Sequence, residues 1–97
     1  MAEHANVIRV AHFPVAGGQR QQLVSMLERF ADRIRAMDGC FGIQICSVRE
    51  SANEIAVVSR WASQSALDAF TSSGILDDPE VPKLLAGAAR AEHFEPV

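Results

Sequence analysis

Residues 7–18, VIRVAHFPVAGG, and residues 53–70, NEIAVVSRWASQSALDAF, share one plan, in which an apolar strand runs through a short join into a helix. In the first, a proline and a Gly-Gly turn precede the apolar stripe of residues 19–37, whose three- and four-residue steps predict a long amphipathic helix. In the second, Trp61 ends the strand and Ser63 is placed to cap the helix. A repeated unit of this kind predicts a small α+β sandwich whose sheet keeps one face uncovered.

The rest of the chain completes this plan with two more strands and a helical piece. Alternating apolar residues predict a strand over 41–48, a turn over 50–53 and a third strand over 54–61. An acidic run with Pro79 predicts another helical start, and 91–97 suits an edge strand. With right-handed crossovers, the order is the ferredoxin-like βαββαβ fold with an antiparallel sheet, whose first and third strands are central.

The helices of such a fold cover one face of the sheet, and the sequence predicts that the other face is apolar as well. We expect that uncovered face to carry valine, isoleucine and Trp61, a surface too apolar to remain in water. Two such faces packed together form a homodimer, which is a dimeric α+β barrel with ligand space between sheet and helix.

Composition restricts the class of protein. The 97 residues form one predicted domain, residues 1–97, with 48% hydrophobic and 22% charged residues and a net charge of -3. Because lysine and arginine form no stripe and no run approaches the length of a membrane span, we expect neither nucleic acid nor a membrane as partner. The N-terminal MAEHAN lacks the pattern of a signal peptide, and Cys40 and Cys46 match no redox or zinc spacing. These features predict a cytoplasmic protein with free thiols.

Four features resemble the antibiotic biosynthesis monooxygenase family of dimeric α+β barrel proteins: FPVAGG at 13–18, the long helix, the strand hairpin and the join WASQSAL at 61–67. The resemblance covers about residues 7–73. It implies oxidation of a small aromatic quinol- or anthrone-like substrate by molecular oxygen, without metal, flavin or haem. In such enzymes the substrate is bound away from water and deprotonated, and its carbanion reduces oxygen.

Three positions depart from that family pattern. Anthrone oxidisers carry an asparagine at the place of Val57 and a tyrosine at that of Leu67, and many quinol-oxidising relatives carry a histidine at that of Phe70. Two alternatives therefore stay open. One is a non-catalytic dimeric barrel that binds a small apolar ligand. The other is a haem-binding or haem-degrading relative, although haem degraders have a tryptophan at the Phe70 position.

The candidate catalytic residues are two histidines and an arginine. His12 and His93 are candidate bases because imidazole titrates near neutrality. The alternative is that they are strand histidines whose ring nitrogens form hydrogen bonds only with water or the backbone. Arg9, inside the first strand, needs an acceptor for its charge. The acceptor is either a phenolate or carboxylate of the substrate, or the side chain of Glu54 or Glu95 across the dimer.

The candidate substrate-binding residues are polar or aromatic side chains on the strands and the second helix. Trp61 either stacks on a flat substrate or packs in the core, and Phe70 lines the pocket or packs in the core. Gln44 and Ser59 are polar residues on apolar strands that could orient a substrate oxygen. We expect no metal site, because His12, His93 and Cys46 fit no ligand spacing.

Overall fold

The computed structural model describes residues 6–97, so the terminal segment with His4 lies outside the described residues. The chain follows the predicted βαββαβ order. Its elements are β1 (Val7–Pro14), α1 (Arg20–Arg35), β2 (Cys40–Val48), β3 (Ser51–Trp61), α2 (Gln64–Ser72), a 3₁₀ helix (Pro82–Leu84) and β4 (Arg90–Phe94). Within the described range, no helix is long and apolar enough to cross a membrane.

The four strands form one antiparallel sheet in the order β2-β3-β1-β4. This order confirms the ferredoxin-like fold and the prediction that the first and third strands are central. The register places Val10 opposite Val58 on β3, and Arg9 opposite His93 on β4. Because side chains alternate along a strand, this register fixes which residues share each face of the sheet.

Both helices pack on the same face of the sheet. The apolar stripe of α1 is buried against it, through Leu23, Met26, Leu27, Phe30, Ala31 and Ile34. The hydroxyl oxygen of Ser63 accepts a hydrogen bond from the Ala66 amide at 3.2 Å, as the capping pattern predicts. Gly39, with a φ of 82°, lets α2 approach the turn after α1, because a Cβ at this position would lie 2.6 Å from the Cβ of Ala66. The second helix is thereby held directly over the end of β3.

Trp61 lies on the covered face, which corrects the expectation that it belongs to the uncovered one. Its side chain is 0% exposed and shares a face with Ile55, Val57 and Ser59 beneath the helices. Both faces of β3 carry apolar residues, Ile55 and Val57 on one and Ala56 and Val58 on the other, so hydrophobicity alone did not separate them. The uncovered face carries Ile8 and Val10, both half-buried, rather than the tryptophan.

Two local predictions were also wrong. The helical piece expected after Asp77 is a series of turns and the short 3₁₀ helix, because Pro82 has no N–H to donate to the carbonyl of Asp78 as an α-helix requires. The hairpin turn is Arg49–Glu50 rather than residues 50–53, because Ser51 already pairs with Val48 across a register shift. The third strand is therefore longer than predicted.

Candidate functional site

One row of side chains crosses the covered face of the sheet, with one residue from each strand. In the order β2, β3, β1 and β4, these residues are Ile43, Ser59, Arg9 and His93. Neighbours in such a row have Cβ atoms about 5 Å apart. Ile43 and Ser59 are buried, whereas His93 is exposed on the edge strand. The fold thus places a hydroxyl, a guanidinium and an imidazole side by side.

Two aromatic side chains lie against this row. The rings of Trp61 and Phe70 stack with centroids 5.1 Å apart and planes inclined by 14°. The Cζ of Arg9 lies 5.4 Å from the Phe70 centroid, within range of a cation–π contact. The indole Nε1 of Trp61 donates a hydrogen bond to Ser59 Oγ at 3.0 Å. The buried polar groups of the tryptophan and the serine therefore satisfy each other.

Arg9 is the polar group in this cluster that stays unsatisfied. Its Nε is buried and has no hydrogen-bond partner among residues 6–97. Burial lowers the pKa of Arg9 through desolvation, but a guanidinium remains protonated at neutral pH. A half-buried cation beside an aromatic ring, with a donor left unused, is suited to bind an anion.

Two neighbouring spaces adjoin Arg9. The outer one is an open depression of about 200 Å³, bounded by Arg9, Phe70 and the segment 74–77. The inner one lies between the sheet and α1 and has room for about 10 Å³. It is walled by apolar side chains and by Ser59. The cluster therefore has a dry interior and an accessible mouth, with the guanidinium at their junction.

His12 lies on the opposite face of the sheet from Arg9. Its Nε2 is 3.1 Å from Glu92 Oε1, and its Nδ1 is 3.5 Å from Glu54 Oε1. Glu54 Oε1 is also 3.8 Å from Arg90 Nη2. The larger depression beside His12, of about 490 Å³, has His12, Glu54 and Arg90 among its lining residues, and the polar groups of these three already contact one another. Its size alone does not make it the better site.

The structure thus brings together five of the seven residues that the sequence proposes. Arg9, Ser59, Trp61 and Phe70 contact or neighbour one another, and His93 adjoins Arg9 in the row but lies outside the lining of both spaces. Gln44 pairs with Val58 and is exposed on the uncovered face, away from them. The roles assigned to these residues stay predictions.

Sequence reasoning missed the segment that walls the outer depression. Gly74 has a φ of 75° and turns the chain after α2, so that Ile75, Leu76 and Asp77 lie at the mouth. These residues belong to no periodic pattern, and the glycine at 74 is the one signal that marks the turn. No three histidine, cysteine, aspartate or glutamate side chains gather as a metal site in the part of the chain that the structure describes.

Val57, Leu67 and Phe70 are the three positions at which the sequence departs from the family pattern that it resembles. All three are buried, with exposures of 7%, 1% and 3%. Val57 and Phe70 line the inner space. The polar groups left to act on a ligand there are Arg9 and Ser59.

A family model described as antibiotic biosynthesis monooxygenase matches residues 6–94. A search of curated proteins gives no significant match.

Solved structures share the fold over nearly their whole length. Protein Rv0793 of Mycobacterium tuberculosis is 24% identical, with a TM-score of 0.83 and coverage of 96% of both chains. Protein SO0527 of Shewanella oneidensis is 17% identical, with a TM-score of 0.85 and coverage of 95% of this chain and 91% of its own. A crystal structure of an antibiotic biosynthesis monooxygenase is 10% identical, with a TM-score of 0.81 and coverage of 94% and 98%. At these identities the likeness shows the fold.

Proposed function

Because the chain belongs to the antibiotic biosynthesis monooxygenase family, we propose that it is a cofactor-independent monooxygenase that oxidises a small aromatic quinol-like substrate with molecular oxygen. Family membership supports a monooxygenase-like function in general, and the site supports the substrate class. The observation that carries the proposal is Arg9, a half-buried cation with a free donor that lies against the Trp61–Phe70 stack. A flat phenolate matches both its charge and its aromatic surroundings.

In the proposed reaction, the protein favours the deprotonated form of the substrate. The guanidinium of Arg9 holds the phenolate oxygen, and its charge stabilises the anion formed when the substrate loses a proton. The electron-rich ring carbon then reduces oxygen. One oxygen atom forms a carbonyl on that carbon, and the other leaves as water with the two hydrogens that the substrate gives up. The substrate itself supplies all the electrons that oxygen accepts.

His93 is the better placed of the two proposed bases. It shares the covered face with Arg9 and is its direct cross-strand partner. His12 lies on the other face between two carboxylates, so the sheet separates it from this substrate. We therefore assign proton abstraction to His93 in the proposed mechanism.

The proposed active form is a cytoplasmic homodimer. The uncovered face of the sheet supports this form, because Ile8, Val10 and Val58 lie on it together with Phe94, which is 47% exposed. Such a surface is suited to a second copy of the same face. Light scattering after gel filtration measures the molar mass of the protein in solution. A monomer at micromolar concentration would contradict the proposed dimer.

Oxygen uptake by the purified, metal-free protein tests the reaction. The panel consists of dihydroxynaphthalenes and anthrones, with boiled protein as the blank. Saturable uptake with an oxygenated product is the expected result, and His93→Gln should lower the rate without weakening substrate binding. Equal rates in His93→Gln and wild type would contradict the role of His93 as the base. If compounds of the panel bind to the protein but no oxygen is consumed, the proposed monooxygenase reaction is contradicted.

The alternative function is that of a non-catalytic dimeric barrel that binds a small apolar ligand. Its support is the burial of Val57, Leu67 and Phe70 at the positions where functional relatives carry asparagine, tyrosine and histidine. This function predicts saturable binding of the same compounds with no oxygen consumption. The uptake and binding measurements together therefore separate the two functions.

A further inference from the structure

Three residues are shared by the walls of the outer depression and the inner space: Arg9, Phe70 and Leu76. Phe70 is 3% exposed and stacked on Trp61, and Arg9 belongs to a central strand. Leu76 instead lies in the turn that follows α2, where it is half-buried against the core. It is the part of the shared wall that regular secondary structure does not hold.

The two spaces differ greatly in what they can hold. A cavity of about 150 Å³ takes one benzene ring, so the outer depression, at about 200 Å³, suits one ring or two compact fused rings. The inner space, at about 10 Å³, holds no more than about one water. A ligand of three fused rings is enclosed by the protein only if the two spaces become continuous, and Leu76 is one of the three residues that line both.

We propose that Leu76 sets the size of the aromatic ligand that the site can enclose, so that the site prefers one- and two-ring phenols bound to Arg9 over three-ring anthrones. The inference rests on the proposed function for the location of the site, and it narrows the substrate to the smaller quinols. It also identifies the inner space as the volume that a smaller side chain at position 76 would open.

The chain offers a direct reporter and a matched control for this inference. Trp61 is its one tryptophan and there is no tyrosine, so protein fluorescence reports on the stack beside the site. Ile75, the neighbour of Leu76, lines the outer depression but not the inner space. The variant Ile75→Ala therefore removes a similar side chain from the same turn without joining the two spaces.

The experiment measures the affinity of a dihydroxynaphthalene and of a hydroxyanthrone for wild type, Leu76→Ala and Ile75→Ala, by Trp61 quenching and by calorimetry. Circular dichroism confirms that each variant is folded. We expect wild type to prefer the two-ring ligand and Leu76→Ala to shift the affinity ratio at least about tenfold towards the three-ring ligand, since pocket volume discriminates on this scale. Ile75→Ala should shift the ratio less than about threefold on the same scale.

An unchanged ratio in Leu76→Ala, or an equal shift in Ile75→Ala, would overturn the proposal. If Leu76→Ala does not fold, Leu76→Val must shift the ratio in the same direction by a smaller factor, and an unchanged ratio there overturns it equally. Oxygen uptake measured on the same samples separates this inference from the proposed function. If Leu76→Ala shifts the binding preference but no oxygen is consumed, the role of Leu76 is supported and the monooxygenase reaction is contradicted. If oxygen is consumed but the preference does not shift, the reaction is supported and the role of Leu76 is contradicted.

Discussion

The two faces of the sheet treat their charged residues in opposite ways. On the uncovered face, His12, Glu54, Arg90 and Glu92 contact one another in a chain of ion pairs. On the covered face, Arg9 has a buried donor with no partner among the described residues. Partly exposed pairs of the first kind contribute little to stability, whereas a desolvated donor without a partner is destabilising. His12 Nδ1 also lacks a hydrogen bond, but it lies 3.5 Å from Glu54 Oε1, whereas Arg9 has no carboxylate beside it among the described residues. This difference is the basis on which we propose Arg9 as the ligand-binding group.

Removal of Trp61 is expected to have the largest effect in the molecule. The variant Trp61→Ala leaves a cavity under α2 and removes the indole N–H that donates to the hydroxyl of Ser59. Together these losses lower the free energy of unfolding by about 3–5 kcal/mol. Since the free energy of unfolding of a small domain is about 5–15 kcal/mol, this variant should be close to unfolding at room temperature. Urea denaturation followed by circular dichroism measures the loss.

Trp61→Phe is the matched control for that variant. It keeps an aromatic ring against Phe70 and loses the hydrogen bond to Ser59 Oγ, so its cost should be smaller, about 1–3 kcal/mol. A loss of less than about 1 kcal/mol in Trp61→Ala would mean that the covered face is not the closely packed side of the sheet.

Replacement of Arg9 should affect binding rather than folding. Arg9→Met keeps an unbranched apolar side chain at this position and removes the charge that has no hydrogen-bond partner at Nε, so we expect the free energy of unfolding to stay equal or to rise. The affinity for a phenolate ligand should fall about 10- to 100-fold, the value of a charge-assisted hydrogen bond of about 1.5–3 kcal/mol. Calorimetric titration and urea denaturation of one preparation give both quantities.

Arg60→Met is the control for Arg9→Met, because Arg60 is exposed on the uncovered face of the neighbouring strand. Arg60→Met should change neither the affinity for a phenolate ligand nor the free energy of unfolding. A destabilisation of more than about 2 kcal/mol in Arg9→Met would show that the guanidinium serves the fold, and would remove the contrast between the two faces.

Much of the fold is predictable from local patterns, and the site is predictable only in part. The apolar stripe of α1 and the parity of Arg9 against His12 follow from residue spacing, and the structure confirms both. The side on which Trp61 lies depends on which face the helices cover, and residue spacing along the strand does not encode that choice. The isolation of Arg9 depends on the positions of acidic side chains in three dimensions. Leu76 lies in a turn without periodicity, so no sequence pattern could place it beside the proposed site.

The smallest expected effect belongs to His12. The variant His12→Gln removes contacts with Glu54 and Glu92 that are partly exposed, so the free energy of unfolding should fall by less than about 1 kcal/mol. The affinity for a phenolate ligand should stay within about twofold of wild type, because the sheet separates His12 from Arg9 and sites without shared partners behave independently.

Calorimetric titration measures the phenolate affinity of His12→Gln, as it does for Arg9→Met. The same measurement on a double variant, His12→Gln with Arg9→Met, tests whether the two changes in affinity are additive. Additive changes in affinity are expected if the two faces act independently. Non-additive changes, or a large loss of affinity in His12→Gln alone, would mean that the charges of the uncovered face reach the ligand of the covered one.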